Sequence, residues 1–196
     1  MRQFKTEERL KRITETARAR QYSLRVVLEN IHDPHNVSAI FRTCDAVGVP
    51  KVSLLYTIEK FPKVSRVSSA SASKWIEIEK FNDTKECVKS LKDDGFIIYS
   101  SMLDKNAVSL YELDLTKKVA IVVGNEHRGV SEELKNLSDK SFYIPMRGMI
   151  ESLNVSVANA VVLYEAQRQR ELKNMYSQSE LSEEQFEKLI DKWCDK

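Results

Sequence analysis

Short apolar runs alternate with segments of helical periodicity along most of this chain of 196 residues. The strand candidates are residues 24–29, 51–56, 75–79, 96–102, 118–123 and 141–144. Helices are predicted for residues 33–48 and 82–94, from Ser131, and from about Leu153 onward. The Ser- and Lys-rich residues 57–74 are predicted to form a loop. Strands that alternate with helices favour an α/β fold, in which a parallel sheet carries helices on both faces.

The segment after the first strand, DPHNVSAIFRTCDAVG, has the clearest helix signals. Asp33 can cap the first turn, Pro34 suits the first helical position, and Gly48 can end the helix. Apolar side chains recur at helical spacing at Val37, Ile40, Phe41, Cys44 and Val47. The helix is therefore expected to have one apolar face.

The two ends of the chain differ in charge. Residues 1–20 contain seven Arg or Lys and three Glu, whereas residues 171–196 contain four Lys and seven acidic residues. We expect a basic N-terminal helical extension (1–20), a central domain (21–172) and an acidic C-terminal helical extension (173–196). Clustered Arg and Lys indicate a polyanionic partner, with a solvated helix face as the equally weighted alternative.

Composition excludes several classes of protein. With 42% hydrophobic and 31% charged residues, the chain resembles ordinary globular domains, and no apolar run reaches the roughly 20 residues of a membrane span. The N-terminal segment lacks the apolar core of a signal peptide. Three isolated cysteines indicate a reducing, cytoplasmic setting and speak against structural zinc.

Ligands of such sheets bind outside the carboxyl ends of the strands. Three segments follow strand candidates there: SSMLDKN, GNEHRG and PMRGMIESLN. Neither GxGxxG nor GxxxxGK[ST] occurs in the chain, so a nicotinamide or ATP site has no support. Loops with glycine, Asn, Ser and Met suit a ligand with an adenosine, an amino-acid end and a cation, without identifying it.

Three motifs in order carry a family resemblance: NVSAIFRTCDAVG (36–48), IVVGNEHRGVS (121–131) and IPMRGMIESLNVSVANAVVLYEAQRQR (144–170). Together they resemble the TrmH group of SPOUT RNA methyltransferases, over nearly the whole chain. The resemblance implies methyl transfer from S-adenosyl-L-methionine to a ribose 2′-hydroxyl. It also implies a homodimer that shares its active site between subunits, and a C-terminal trefoil knot, which is rare among protein folds.

The resemblance also implies residue roles at the cofactor. Ser101, Gly124, Ile144 and Leu153 are expected to hold S-adenosyl-L-methionine, largely through backbone atoms. Ser101 stands where relatives often have Thr. Ser152 and Asn154 are expected as polar residues of the active site. Capping of the following helix is the alternative for Ser152, and both roles are compatible.

Arg42 corresponds to the catalytic arginine of the family. A ribose hydroxyl is a very weak acid, so its oxygen must lose a proton as it attacks the methyl group. A guanidinium stays charged at neutral pH, so we expect Arg42 to stabilise the developing oxyanion and to hold the adjacent phosphate, rather than to act as a base. If the motif were ignored, an exposed surface arginine would be the simpler interpretation.

Asn36 and Glu126 are expected to support the catalytic arginine. Asn36 precedes Arg42 by six residues on the helix, so direct contact is not required. Glu126 is expected to orient Arg42 of the other subunit, with a structural ion pair as the alternative. The histidines of HDPH and GNEHRG fit no zinc signature, so no metal is expected.

The expected RNA partner is tRNA, methylated at guanosine 18, because members acting there have short helical extensions on both sides of the knot domain. The residues expected to bind RNA are Arg12, Arg18, Arg20, Arg168 and Arg170. A ribosomal-RNA methyltransferase and a non-catalytic tRNA-binding protein remain alternatives. The helix face with Val155, Ala158, Val162 and Ala166 is expected to form the dimer contact, with burial against the chain's own sheet as the alternative.

Overall fold

The structure is a computed structural model that describes residues 2–62 and 72–196. Seven parallel strands form one sheet in the order β3-β2-β1-β6-β4-β7-β5. The strands are β1 (Leu24–Glu29), β2 (Lys51–Leu55), β3 (Glu77–Phe81), β4 (Ile97–Ser101), β5 (Val108–Ser109), β6 (Val119–Val123) and β7 (Lys140–Tyr143). The helices are α1 (Glu7–Arg18), α2 (Pro34–Ala46), α3 (Thr84–Asp93), α4 (Glu132–Leu137), α5 (Val155–Leu172) and α6 (Glu183–Cys194). The predicted α/β class with a parallel sheet is confirmed.

The sheet separates two hydrophobic layers, as its alternating side chains require. On one face, β1 and β6 side chains such as Leu28 and Ile121 pack with α2 and α5. On the other face, Val27 and Val122 pack with α3 and α4. The side chains on both faces of the central strands are therefore buried, which explains the nearly continuous apolar sequence of these strands.

The two terminal helices pack against each other. Ile13 and Ala17 of α1 form a small third cluster with Ile190, Trp193 and Cys194 of α6. Arg2 forms ion pairs with Glu187 at 2.6 Å and with Asp191 at 2.7 Å, so part of the basic extension's charge is neutralised by the acidic one. The division of the chain into 1–20, 21–172 and 173–196 stays a prediction.

Local signals placed most elements correctly and misplaced a few. Asp33 caps α2 and Gly48 follows it with φ +87°, as expected. Strand β3 begins two residues later than predicted. Residues 72–74 form a 3₁₀ turn, and the amide of Trp75 donates to the carbonyl oxygen of Ala72 in that turn. The two-residue β5 was not predicted. Residues 63–71, part of the predicted loop 57–74, lie outside the described residues.

Strand order alone does not describe how the chain is threaded, so the trefoil knot stays a prediction. Among the described helices, none combines the length and the apolar character of a membrane span. The feature that positions the site is the shared direction of the strands. It brings the segments that follow β4, β6 and β7 to one edge of the sheet.

Candidate active site

A cleft of about 440 Å³ opens at the carboxyl edge of β4, β6 and β7. The residues expected at the cofactor, Ser101, Gly124, Ile144 and Leu153, all line it, together with Glu126 and Ser152. These residues come from three loops that are separated in sequence by about twenty residues or more. The fold therefore brings together the cofactor residues that the family resemblance implies, although their role in binding stays a prediction.

The loop after β6 forms a tight turn whose first position, Gly124, has room only for glycine. A Cβ on Gly124 would lie 2.2 Å from the carbonyl carbon of Gly129 and 2.3 Å from the amide nitrogen of Val130. Asn125 and Gly129 exchange backbone hydrogen bonds across the turn, at 3.0 and 2.8 Å. The side-chain oxygen of Asn125 also accepts from the amides of His127 and Arg128, at 3.0 and 3.1 Å. This loop is thus a rigid wall of the cleft.

Glu126 anchors the beginning of α2 to the cleft. Its carboxylate accepts from the amides of His32 and Asp33 at 2.8 and 3.2 Å, and from the side-chain amide of Asn36 at 2.8 Å. Burial raises the pKa of Glu126, but these hydrogen bonds outweigh burial, and the pKa lies below its ordinary value. A charged Glu126 therefore holds α2 in a fixed position.

Asn36 and Asn154 extend this network to α5. The side-chain amide of Asn154 donates to the side-chain oxygen of Asn36 at 3.1 Å. The oxygen of Asn154 accepts from the amide and the hydroxyl of Ser156 at 2.9 and 2.6 Å, so Asn154 is the N-cap of α5. The capping role considered for Ser152 is wrong, because the helix begins two residues later than that role requires.

Carboxylates dominate the charged lining of the cleft. Glu126, Glu132 and Glu151 line it together with one arginine, Arg128. Glu59 holds Arg128 through an ion pair of 2.7 Å and lies 3.4 Å from the imidazole of His32. Hydrogen bonds from these two side chains hold the pKa of Glu59 below its ordinary value. The cleft therefore favours a ligand with positive charge.

Arg42 lies outside the cleft of its own chain. It is exposed on α2, and it is not among the residues that line the cleft. Within the described part of the chain, no hydrogen bond or ion pair joins it to Asn36, Glu126 or another side chain. One chain therefore does not bring the expected catalytic arginine to the expected cofactor residues.

Two of the arginines expected to bind RNA are buried, and this expectation is wrong for both. Arg20 donates to the carbonyl oxygen of Val49 at 3.2 Å and forms an ion pair with Asp45. Arg170 is fully buried and makes five hydrogen bonds within the chain. Both buried guanidinium groups join segments of the chain through internal partners and are inaccessible to phosphates.

The remaining basic candidates are on the surface. Arg12 and Arg18 are exposed on α1, and the Arg18 guanidinium lies 5.9 Å from the ring centroid of Phe186. Arg168 is exposed on α5 and pairs with Glu165 at 2.8 Å. Their role in RNA binding stays a prediction.

The expected dimer face of α5 is only partly available. Val162 and Ala166 are fully buried in the chain's own core, so they were assigned wrongly to a contact between subunits. Ala158 and Val155 border the cleft. The outward face carries Val157, which is 48% exposed, and Tyr164, which is 55% exposed. The apolar spacing of α5 fits both a core face and an outer face, which is why sequence alone did not separate them.

Sequence reasoning missed Asn30, which connects the segments after β1, β2 and β6. Asn30 has φ +50°, and its side-chain oxygen accepts from the amides of Thr57, Ile58 and Glu59 at 3.0, 2.9 and 3.1 Å. Its carbonyl oxygen accepts from Asn125 at 2.7 Å. An asparagine directly after a buried strand was the available signal, because Asn tolerates positive φ better than most residues.

The three histidines do not lie in a cluster of possible metal ligands among the described residues. In the ranges 2–62 and 72–196, no group of three or more His, Cys, Asp or Glu side chains is placed to hold a metal ion. His32 contacts Glu59, and His127 borders the cleft.

Comparison with known proteins identifies the family. Residues 23–164 match the model of the SpoU rRNA Methylase family. A tRNA (guanosine(18)-2′-O)-methyltransferase of Aquifex aeolicus is 45% identical over 96% of this chain and 89% of its own length. One from Thermus thermophilus is 44% identical over 98% of both chains.

A solved structure gives the same result for the fold. The crystal structure of the Aquifex aeolicus TrmH/SpoU tRNA modifying enzyme superimposes with a TM-score of 0.89, at 45% identity and over 96% of both chains. The match includes the terminal helices as well as the sheet. On this evidence the chain belongs to the SpoU methylase family, in its TrmH group.

Proposed function

We propose that this protein transfers the methyl group of S-adenosyl-L-methionine to the 2′-hydroxyl of guanosine 18 in tRNA. The observation that carries the proposal is the cleft, in which the expected cofactor residues of three separate segments, those after β4, β6 and β7, converge. Relatives named for this reaction align with the chain over nearly its full length, which supports the choice of substrate.

The cleft fits the methyl donor in size, polarity and charge. Its volume is about 440 Å³, within the range of about 300–1,000 Å³ typical of ligand pockets. Leu103, Val123, Ile144 and Leu153 give it apolar walls, while its carboxylates complement a cation. When bound, S-adenosyl-L-methionine supplies an electrophilic methyl group on a sulfonium centre and also carries an ammonium group.

We infer that the protein acts as a homodimer, since Arg42 lies outside the cleft of its own chain. A second copy would bring its Arg42 to the cleft, and each site would then contain residues of both chains. The outward face of α5, with Val157 and Tyr164, offers an apolar surface for this contact. A two-fold dimer uses the same surface on both copies.

Each side chain of the proposed site has a role that follows from its position. A charged Arg42 would stabilise the developing 2′-oxyanion and hold the neighbouring phosphate through paired N–H donors. Glu126, Asn36 and Asn154 join the beginnings of α2 and α5, so they fix the geometry on which alignment depends. Ser152, which lines the cleft, offers a hydroxyl to the ribose.

Arg12, Arg18 and Arg168 are proposed to contact phosphates, because they are the exposed members of the predicted set. Ribosomal RNA is the second candidate substrate, favoured by the description of the matching family model. The tRNA substrate is preferred because the two relatives compared above are named for it and align over 89% and 98% of their length.

We place the protein in the cytoplasm, together with its tRNA. Its three cysteines are free and buried, and burial raises the pKa of Cys87 to about 12. Such thiols are unreactive and need no oxidising compartment.

The test is incubation of the purified protein with labelled S-adenosyl-L-methionine and an unmodified tRNA, followed by nuclease mapping of the label. Label is expected at guanosine 18, and none in a matched tRNA with adenosine at that position. In a parallel incubation with unmodified ribosomal RNA, label there and none in the tRNA would establish the second candidate. Binding of tRNA without transfer, and without calorimetric binding of S-adenosyl-L-methionine, would indicate a non-catalytic RNA-binding protein.

A further inference from the structure

A second concave surface lies between α1, the end of α6 and the 3₁₀ turn at 72–74. This groove, of about 170 Å³, is lined by Arg9, Arg12, Ile13, Thr16, Asp45, Trp75 and Trp193. None of these residues lines the cleft described above. The groove is therefore a separate feature of the surface, built largely by the two terminal helices.

The groove combines accessible cations with an aromatic ring. The guanidinium of Arg9 lies 5.5 Å from the ring centroid of Trp75, which is half-buried. Arg12 is exposed and has no ion-pair or hydrogen-bond partner among the described residues. Trp75 contacts the buried Trp193 edge to face, with centroids 5.3 Å apart, so its ring is held in place. Arginine beside a fixed aromatic ring is the combination that binds single-stranded nucleic acids, through phosphate contacts and base stacking.

The position of the groove connects it to the proposed chemistry. Asp45, at its border, follows Arg42 by three residues on α2. Residues at this spacing are neighbours on one helix face, with Cβ atoms about 5–6 Å apart. A single RNA strand that places a ribose at Arg42 can therefore place an adjacent nucleotide in the groove.

Asp45 also restricts the kind of nucleotide. Its Oδ1 pairs with the buried Arg20, while its Oδ2 has no hydrogen-bond partner among the described residues. A carboxylate oxygen repels phosphate but accepts from the amino and imino groups of bases. The phosphate would then lie on the side of Arg9 and Arg12, and the base edge near Asp45.

We propose that this groove binds a nucleotide adjacent to the methylated ribose. The base stacks on Trp75 and displaces the side chain of Arg9, which moves with Arg12 onto the phosphate. The inference rests on the proposed function in taking RNA as the ligand and in placing the methylated ribose at Arg42.

Intrinsic fluorescence gives a direct test, because the chain contains two tryptophans and both line the groove. Substrate tRNA should change the tryptophan emission, whereas S-adenosyl-L-methionine alone should leave it unchanged. Arg9→Ala, Arg12→Ala and Trp75→Leu should each weaken tRNA binding. The matched control is Lys11→Ala, which removes an exposed charge from the same helix outside the groove.

The expected effects differ between the variants. Trp75→Leu keeps apolar bulk but removes the stacking surface, so the tRNA dissociation constant should rise about fivefold to a hundredfold. Arg9→Ala and Arg12→Ala should each reduce the slope of log affinity against log salt by about one, beyond the control. Thermal unfolding of each variant shows that the terminal helices remain folded.

Two results would overturn the proposal. One is unchanged tryptophan emission on tRNA binding, and the other is folded Trp75→Leu protein that binds tRNA as tightly as Lys11→Ala. Methyl transfer by the unmodified protein is measured in parallel. If it occurs while the groove variants behave like the control, the groove proposal fails alone. If it does not occur on any RNA, the proposed function fails, and the fluorescence and binding data still decide whether the groove holds RNA.

Discussion

Arg168 and Arg170 stand two residues apart on α5, and we predict opposite effects for their replacement by alanine. The Arg168 side chain is 60% exposed, and its ion-pair partner among the described residues, Glu165, lies on the same helix. Arg170 is fully buried and donates to Leu115, Gln21, Ser23 and Lys117. Arg170→Ala should lower stability, and Arg168→Ala should lower RNA affinity.

The magnitude for Arg170→Ala follows from its five hydrogen bonds, at 2.7 to 3.2 Å. Truncation leaves the buried oxygens of Leu115 and Gln21 without this donor, and leaves the carboxylate of Glu180, 3.7 Å away, without its counter-charge. Removal of one partner of such a buried network costs about 3–5 kcal/mol of unfolding free energy. The Arg168–Glu165 pair is open to solvent on the arginine side, and the buried Glu165 keeps a hydrogen bond from Gln169, so loss of the pair should cost about 1 kcal/mol.

Urea unfolding monitored by circular dichroism, at one fixed protein concentration, measures both variants. Binding of tRNA at two salt concentrations is measured under conditions where each variant is folded. An Arg170→Ala protein within about 1 kcal/mol of the unmodified protein, yet defective in tRNA binding, would refute this reasoning. It would restore the role in RNA binding that its position in the motif first suggested.

Three further predictions concern the proposed active site. Arg42→Ala should lower kcat about 10²- to 10³-fold in steady-state methyl transfer. The affinities for tRNA and S-adenosyl-L-methionine should be nearly unchanged. Near-normal turnover would contradict the role of Arg42. Gly124→Ala should abolish calorimetric S-adenosyl-L-methionine binding, because its Cβ meets backbone at 2.2 Å, whereas Gly148→Ala, with open space, should bind normally. The low pKa of Glu126 stabilises the folded state above the ordinary value of 4.5, and this contribution is lost as pH falls below it. Acid unfolding of Glu126→Gln should therefore depend less on pH in that range, and an unchanged profile would contradict the network.

The sheet and its helices were predictable because their signals are local. Asp33, Pro34 and Gly48 mark the ends of α2 in the sequence, and the structure places the helix between them. The family resemblance implied the cofactor residues, and their convergence in one cleft follows from parallel strands that end at the same edge. The helix ends thus depend on neighbouring residues, and the position of the cleft depends on strand direction.

Contacts between distant segments were not predictable in the same way. Arg20 and Arg170 look like surface cations in the sequence, yet the carbonyl oxygens that surround them come from other parts of the chain. The helical spacing of Val162 fits a dimer face as well as the chain's own core. The groove at Trp75 requires α1 and α6 to meet, although they lie at opposite ends of the sequence.

We propose that the cleft of one chain and Arg42 of the other form one shared site that methylates tRNA. It is tested most directly by mixing two inactive variants, Arg42→Ala and Ser101→Trp, the second designed to fill the cleft. If the site is shared, each mixed dimer contains one intact site. Methyl transfer to guanosine 18 should then return to about a quarter of the unmodified rate after equal mixing with subunit exchange. Two variants that stay inactive after mixing, although mixed dimers are shown to form, would contradict the shared site.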